Sequence, residues 1–429
     1  MVSGGTYGTE DIVHGAGYGR ALIILLVTPL LWSLPTAFML GELSSALPQE
    51  GGYYAWVRRA LGNFWGFQEA WLSLVASIFD MAIYPTLFVA YLAHFLPQFK
   101  SGSPAILVGL AVITLCVLLN ILGIRVVGWT SLWLMVLLAL PFAVIVVVAP
   151  FRHTLGQTPA VPSASTVGIL GGLVIAMWNY MGWDNASTIA AEVEEPQRTY
   201  PRALMGAVII VGLTYILPVA AMSLTGIAPA EWETGSWANL GARVAGPWLG
   251  KAVAVGAMMS AFGMFNALVM SYSRLPLAMA QDGMLPGIFS RVHPRTGAPW
   301  VSIVVLAAAW ACCLGLGFER LITIDILIYG AALALEFVAL LVLRFTEPGL
   351  ARPFSVPGGK LGAVMIGVGP LFLLGFSIVH SESERIWGMS GLAFGLLLMA
   401  AGVAAYALRM LIQRLGWLPQ PVGSSEEAE

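Results

Sequence analysis

Val167-Gly-Ile-Leu-Gly-Gly-Leu-Val-Ile-Ala-Met-Trp178-Asn179-Tyr-Met-Gly182-Trp-Asp184-Asn-Ala-Ser187-Thr-Ile-Ala-Ala191 is the stretch whose reading decides the fold. It is long enough to cross a hydrocarbon core about 30 Å thick as a helix. Its ends are apolar, but its middle carries Asn179, Gly182, Asp184 and Asn185. Glycine weakens a helix, and Asn and Asp compete for its backbone hydrogen bonds. An ionisable side chain within a span is expensive unless it faces a cavity or a partner. The stretch therefore reads as a discontinuous membrane helix. The half-helix ends of such a helix present partial charge and unpaired backbone groups to a small ligand.

The rest of the chain supplies the membrane setting. Of 429 residues, 59% are hydrophobic and 10% charged, with a formal net charge of −2. Mean hydropathy is +0.85. A soluble domain carries about 25% charge, so that class is excluded, as are disorder and a disulfide scaffold. There is no basic footprint for nucleic acid. The apolar runs last about 20 residues without period-two alternation, which excludes a barrel and leaves helices in contact with lipid. Cys116, Cys312 and Cys313 lie in apolar runs and give neither a disulfide framework nor metal spacing. No phosphate loop, nucleophile elbow or His–acid ligand pair is present. No enzyme, metal or cofactor is expected.

Eleven spans are expected: Ala21–Leu47, Phe64–Leu96, Pro104–Leu122, Val126–Val148, Val167–Ala191, Ala203–Leu224, Ala252–Ala278, Val301–Leu316, Leu321–Leu343, Leu361–Val379 and Ile386–Leu411. Val2–Gly19 is too polar and Gly-rich to cross alone and reads as the end of a first helix. The expected fold is all-α, a polytopic membrane protein of about 12 transmembrane helices. Residues 1–411 form one transport domain, and 412–429 a polar cytoplasmic tail. Placing the loop after Ala21–Leu47 inside puts 13 of the 20 basic residues on that side, as cytoplasmic loops require. The C-terminus is then cytoplasmic, in a plasma or inner membrane.

The N-terminal segment echoes the interrupted helix. Ser3, Gly4 and Gly5 open it, and Gly8-Thr-Glu10 parallels Gly182-Trp-Asp184. Five spans separate the two, the period of a five-plus-five inverted repeat with discontinuous helices 1 and 6. The repeats would be 1–148, which reads as N-terminally incomplete, and 167–343, followed by two last helices in 361–411. Short Gly-interrupted segments at matching places in two halves point to a transporter site. Asp80 and Tyr84 lie four residues apart on one face of helix 3, just before Pro85. Asp325, Tyr329 and Glu336 share one stripe of helix 10, at about 100° per residue. Ser260, Asn266, Ser271 and Tyr272 in helix 8 read as interhelical glue. Glu42, Glu69, Glu192, Glu194 and Glu195 read as caps or surface charge near the span ends, and Lys251 as an inward-lying or interfacial cation.

The chain resembles the amino acid–polyamine–organocation permeases. Gly41-Glu-Leu-Ser-Ser-Ala-Leu-Pro48-x2-Gly51-Gly52-Tyr-Tyr-x-Trp56-x-Arg58-Arg59-Ala-x-Gly62 is similar to that family's signature across helices 2 and 3. Ser273-Arg274 with Ala280-x-Asp282-Gly283-x-Leu285-Pro286 resembles the loop after helix 8, and Leu343-Arg344 with Glu347-Pro348 and Arg352-Pro353 the end of helix 10. Ala82-x-Tyr84-Pro85, Tyr91-Leu92 and Glu192-Val-Glu-Glu-Pro196-x-Arg198-Thr-x-Pro201 are similar to the polyamine branch. The resemblance implies that the turn at Ser3, Gly4 and Gly5 binds substrate, that Trp178 gates the site and that Asp184 senses protons. Two departures stand out. About 20 residues precede that turn in the family, where this chain has Met1 and Val2, and the helix 5 lysine of some proton-coupled relatives is missing.

The expected activity is secondary active transport of an amino acid or polyamine, cationic because acids outnumber cations within the spans, by alternating access. A proton is the expected coupling ion rather than sodium. Substrate would be held by Ser3, Gly4, Gly5, Glu10, Asp80, Tyr84, Trp178, Asn179, Gly182, Asp184, Tyr329 and Glu336. Asp184, Glu10 and Glu336 are the proton-coupling candidates. The alternatives are a neutral amino acid permease or exchanger, a non-transporting sensor and an inactive truncated product. A channel would need selectivity rings, which the two unlike halves do not offer.

Overall fold

The computed structural model describes residues 5–49, 51–123, 129–152, 166–383, 385–386 and 388–414. Ser3 and Gly4 of the expected site lie outside the described residues, as does most of the expected tail.

A 3-10 turn, Gly5–Gly8, leads into α1 (Glu10–Ala16), and α2 (Tyr18–Thr28) continues through a π turn (Pro29–Ser33) into α3 (Leu34–Ala46). Then follow α4 (Tyr53–Leu61), α5 (Asn63–Leu92), α6 (Gly102–Ile121), α7 (Trp129–Val148) and α8 (Thr166–Asn179). A 3-10 segment, Asp184–Glu192, precedes α9 (Pro196–Ser223), α10 (Trp237–Ala245), α11 (Pro247–Gln281), α12 (Trp300–Cys312), α13 (Phe318–Thr346) and α14 (Gly359–Ser383). A two-residue hairpin, β1 (Arg385–Ile386) with β2 (Met389–Ser390), turns the chain into α15 (Gly391–Arg414). Eight helical stretches among the described residues are long and apolar enough to cross a membrane, and Val136–Phe151 and α12 are shorter apolar helices. This is a multi-pass membrane protein.

Burial sorts the helices. The apolar window of α5 is 78% buried and that of α13 67%, against 22% for both α6 and α15. α5 and α13 pack along each other at the centre, and α6 and α15 turn most of their apolar surface outward. Leu107, Val147 and Ile209 are exposed as a lipid-facing surface would be. At the expected outer end, α1 lies against α8 with Gly15 facing Gly168, and Trp232 and Trp237 cover them, their indoles donating to Tyr18 Oη (2.9 Å) and to the Thr6 carbonyl (2.9 Å).

At the opposite end, arginines tie loops to helices. Glu42, read from sequence as a cap or surface charge, is instead 1% exposed. It accepts from Arg344 Nε (2.9 Å) and Nη2, from the Val356 N–H (2.7 Å), and lies 3.2 Å from Arg352 Nε. A buried carboxylate persists when paired and hydrogen-bonded, and the helix places Glu42 where α13 and the 350–359 loop supply those donors. Glu69 is likewise fully buried rather than interfacial, because α5 is enclosed on every side there. Lys251 is exposed. Arg58 pairs with Asp282, which also accepts from Tyr54 Oη (2.9 Å), and Arg59 grips Glu347 through two bonds (2.9 and 2.7 Å) at the surface.

Candidate functional site

The interrupted helix is the local origin of the site. α8 stops at Asn179 and 3-10 structure resumes at Asp184, with Gly182 at φ +88° in the gap. That positive φ costs glycine least, since it has no Cβ, and it turns the chain out of the helix. The freed carbonyls do not stand open, as the sequence reading had them. Tyr180 O accepts from Trp183 Nε1 (2.6 Å) and Ser33 Oγ (3.2 Å), and Asn179 O from Tyr215 Oη (3.0 Å). Buried backbone acceptors need such partners, and neighbouring hydroxyls and an indole supply them.

Asp80 is the hub. Its carboxylate accepts from Trp178 Nε1 (3.1 Å), Tyr84 Oη (3.2 Å) and Tyr272 Oη (3.3 Å), all of them buried. Trp178 stands edge-on to Phe318 at 5.5 Å and tilts against Tyr84 at 6.3 Å. Asn185 Nδ2 donates to Tyr272 Oη at 3.4 Å, joining the 3-10 segment to the hub. Asp325 lies within electrostatic reach of Asp80, and neither of its oxygens has a hydrogen-bond partner. Asp184 accepts from Tyr329 Oη at 2.7 Å. Glu336, on the same stripe of α13, is within reach of Asp184 and Glu69, and one of its oxygens is unpartnered.

The two glycine-bounded segments meet. Asn179 Nδ2 donates to the Gly8 carbonyl at 3.0 Å. A Cβ at Gly8 would come within 2.7 Å of Asn179 Oδ1 and 2.8 Å of Trp178 Cζ3. Gly8 therefore lies beside Trp178, and the Gly5 backbone meets the Tyr215 hydroxyl that also bonds the Asn179 carbonyl. Glu10 does not join Asp184 and Glu336. It accepts from Tyr91 Oη and from the Gly235 N–H (3.2 Å), beside a narrow cleft whose cavity volume is only about 10 Å³, lined by Tyr7, Tyr84, Tyr91, Ser260 and Met264. The parallel with Asp184 is thus one of spacing and not of surroundings.

The structure brings Asp80, Tyr84, Trp178, Asn179, Gly182, Asp184, Tyr329 and Glu336 into one buried neighbourhood, with Gly5 and Gly8 beside it and Glu10 apart. Tyr272 does bond a neighbouring helix, as glue would, and the partner it finds on α5 is the hub itself, Asp80. The available signal was a hydroxylated aromatic in an apolar run, which demands a partner. Asn266 does act as glue, accepting from Asn120 Nδ2 at 3.0 Å, and Ser271 bonds the Asn185 carbonyl at 2.9 Å. Among the described residues no group of three His, Cys, Asp or Glu side chains is placed to hold a metal.

A family model for amino acid permeases matches residues 1–407. The chain is 34% identical over 428 residues to the polyamine transporter RMV1 of Arabidopsis thaliana, covering 97% of this chain and 84% of that protein. It is 35% identical over 409 residues to the polyamine transporter PUT1 of Oryza sativa subsp. japonica, covering 93% and 75%. It is 27% identical over 359 residues to the serine/threonine exchanger SteT of Bacillus subtilis, covering 81% and 80%.

Proposed function

The chain belongs to the amino acid permease family, a family of membrane transporters and not enzymes, and we propose that it is a proton-coupled secondary permease for a cationic amine, a polyamine or a cationic amino acid. The carrying observation is a surplus of buried carboxylate. Asp80, Asp184, Asp325, Glu69 and Glu336 are each at most 4% exposed. Among the described residues their charged neighbours are one another, with no Lys or Arg between them. Buried charge needs a counter-charge or a proton. A permease whose cargo is the missing cation, and whose coupling ion is the proton, supplies both. The polyamines named for RMV1 and PUT1 agree with this reading.

In this reading Trp178 closes over the site on Asp80, Tyr84 and Tyr272. Asn179, Gly182, Gly5 and the neighbouring Ser3 and Gly4 supply backbone and amide groups, and Asp184, Tyr329 and Glu336 form the inner wall. Asp184 and Glu336 are the coupling acids, and Glu10, held by Tyr91, couples from beside the narrow cleft. The meeting of Gly8 with Asn179 supports a twelve-helix, five-plus-five inverted repeat working by alternating access, with 1–148 and 167–343 as its halves, 361–411 as the last two helices and 412–429 as the tail. The arginine-tied end is cytoplasmic, the C-terminus with it, in a plasma or inner membrane.

The test is uptake of labelled 1,4-diaminobutane into liposomes holding the purified protein, with and without a proton gradient and with a sodium gradient as comparison. Competition by spermine, arginine, leucine and serine accompanies it. Stimulation by the proton gradient and competition by the cations support the proposal. Competition by serine or leucine alone replaces it with the neutral exchanger that the likeness to SteT favours. Binding without flux would make the protein a sensor.

A further inference from the structure

α5 and α13 each carry two acids eleven residues apart, Glu69 and Asp80 on one, Asp325 and Glu336 on the other. Eleven residues make about three turns, so each pair lies on one stripe of its helix, some 16 Å apart along the axis. Asp325 faces Asp80 electrostatically and Glu336 faces Glu69, so the two helices run antiparallel and the four acids form two tiers. Asp184 is within reach of both. The outer tier belongs to the site under Trp178.

The inner tier has groups of its own that nothing satisfies. One oxygen each of Glu69 and Glu336 is buried without a hydrogen-bond partner, the other oxygen of Glu69 taking Ser73 Oγ at 3.1 Å. The independent sign is Tyr53. It comes from α4, is fully buried and lies within electrostatic reach of Glu69, Glu336 and Asp184; its hydroxyl sits beside Ser73 but makes no hydrogen bond of normal geometry. A buried phenol ordinarily finds one. The acceptors of two carboxylates outnumber the donors beside them, the Tyr53 and Ser73 hydroxyls. An ammonium group offers three donors and no acceptor, which is the complement.

We propose that Glu69, Glu336 and Tyr53 form a second ammonium subsite, so that the preferred ligand is a linear polyamine long enough to touch both tiers. The proposal rests on the cationic-amine reading above. At about 1.25 Å of advance per bond, the thirteen bonds between the end nitrogens of spermine span about 16 Å, and the five of 1,4-diaminobutane about 6 Å. Spermine reaches from tier to tier with its inner nitrogens passing Asp184, and the diamine occupies one tier.

The experiment measures inhibition of labelled 1,4-diaminobutane uptake by spermine, spermidine and unlabelled diamine in liposomes, for the unchanged protein, Glu69→Gln and Tyr53→Phe. Spermine should inhibit at least tenfold more tightly than the diamine, the value of one charge-assisted hydrogen bond. Both substitutions should shrink that ratio severalfold. Should Glu69→Gln fail to fold, Tyr53→Phe, which loses one oxygen, carries the test. A ratio near one in the unchanged protein, or a ratio that survives both substitutions, overturns the second subsite while leaving the permease reading intact. A shift in sodium dependence with the ratio unchanged assigns the pocket to an ion and also overturns it. If no amine competes, the cationic reading itself falls.

Discussion

Glu42→Ala should be among the most damaging single changes away from the transport path. Glu42 takes two bonds from Arg344, one from the Val356 N–H and a contact from Arg352. Its removal leaves the Arg344 side chain, 7% exposed, holding only the carbonyls of Val356 and Gly359. Arg352 is not orphaned, because it keeps the carbonyls of Leu343, Glu347 and Leu350. One uncompensated buried cation sets the magnitude, about 3–5 kcal/mol. The control lies at the same end. Arg59 and Glu347 make two good bonds with side chains 40% and 30% exposed, and Glu347→Ala should cost about 1 kcal/mol at most. Thermal unfolding in detergent, followed by tryptophan fluorescence, compares them. A Glu42→Met, Arg344→Met pair should recover most of the loss, since apolar replacement of a buried pair is often neutral. If Glu42→Ala and Glu347→Ala melt together, or the double variant melts no higher than Glu42→Ala, the reasoning from burial is wrong.

Asp184→Asn should still accept from Tyr329 and fold normally yet lose most proton-driven uptake; an unchanged uptake rate and pH profile would remove Asp184 from coupling. Tyr272→Phe takes one of three donors from Asp80 and should weaken substrate binding severalfold, as one hydrogen bond of about 1 kcal/mol implies, without abolishing transport; binding measured by competition decides it. Gly8→Ala places a Cβ against Asn179 and Trp178 and should abolish uptake at near-normal expression. Arg59 beside Glu347 holds its carboxyl below the ordinary 4.5. That small contribution is therefore complete above pH 4.5 and fades as pH falls through the lowered value. Glu347→Gln should flatten the acid limb of the melting curve between those two values and leave the neutral limb alone.

The membrane class and the break at Gly182 were legible because they rest on local chemistry: apolar runs of span length, and polar residues where a helix cannot spare them. Asp80, Tyr84, Asp325 and Glu336 were legible for a related reason, since a charge within an apolar run is conspicuous. What stayed hidden was depth. Glu42 and Glu69 sit where a span meets a polar loop, and sequence shows that boundary but not the arginines or helices folded over it from hundreds of residues away. Tyr272 stayed hidden because a tyrosine in a span looks alike whether it caps another helix or a carboxylate. Glu10 shows the limit of spacing alone: its Gly-x-acid pattern parallels that of Asp184, but its partners are Tyr91 and the Gly235 backbone.

The contact of Gly15 with Gly168 bears on how the molecule moves. A Cβ at Gly15 would stand 2.8 Å from the Gly168 carbonyl oxygen, and one at Gly168 2.5 Å from that of Gly15. No side-chain layer separates the backbones there, so α1 and α8 have nothing soft between them to shear. They should move as a single plate, with any bending falling in the irregular turns beside them, Gly5–Gly8 and Tyr180–Trp183. A methyl group at either glycine would pry the plate into two leaves, each able to tilt without the other. On the proposed proton-coupled mechanism the cost would appear as leak, with cargo crossing uncoupled, before any loss of the fold.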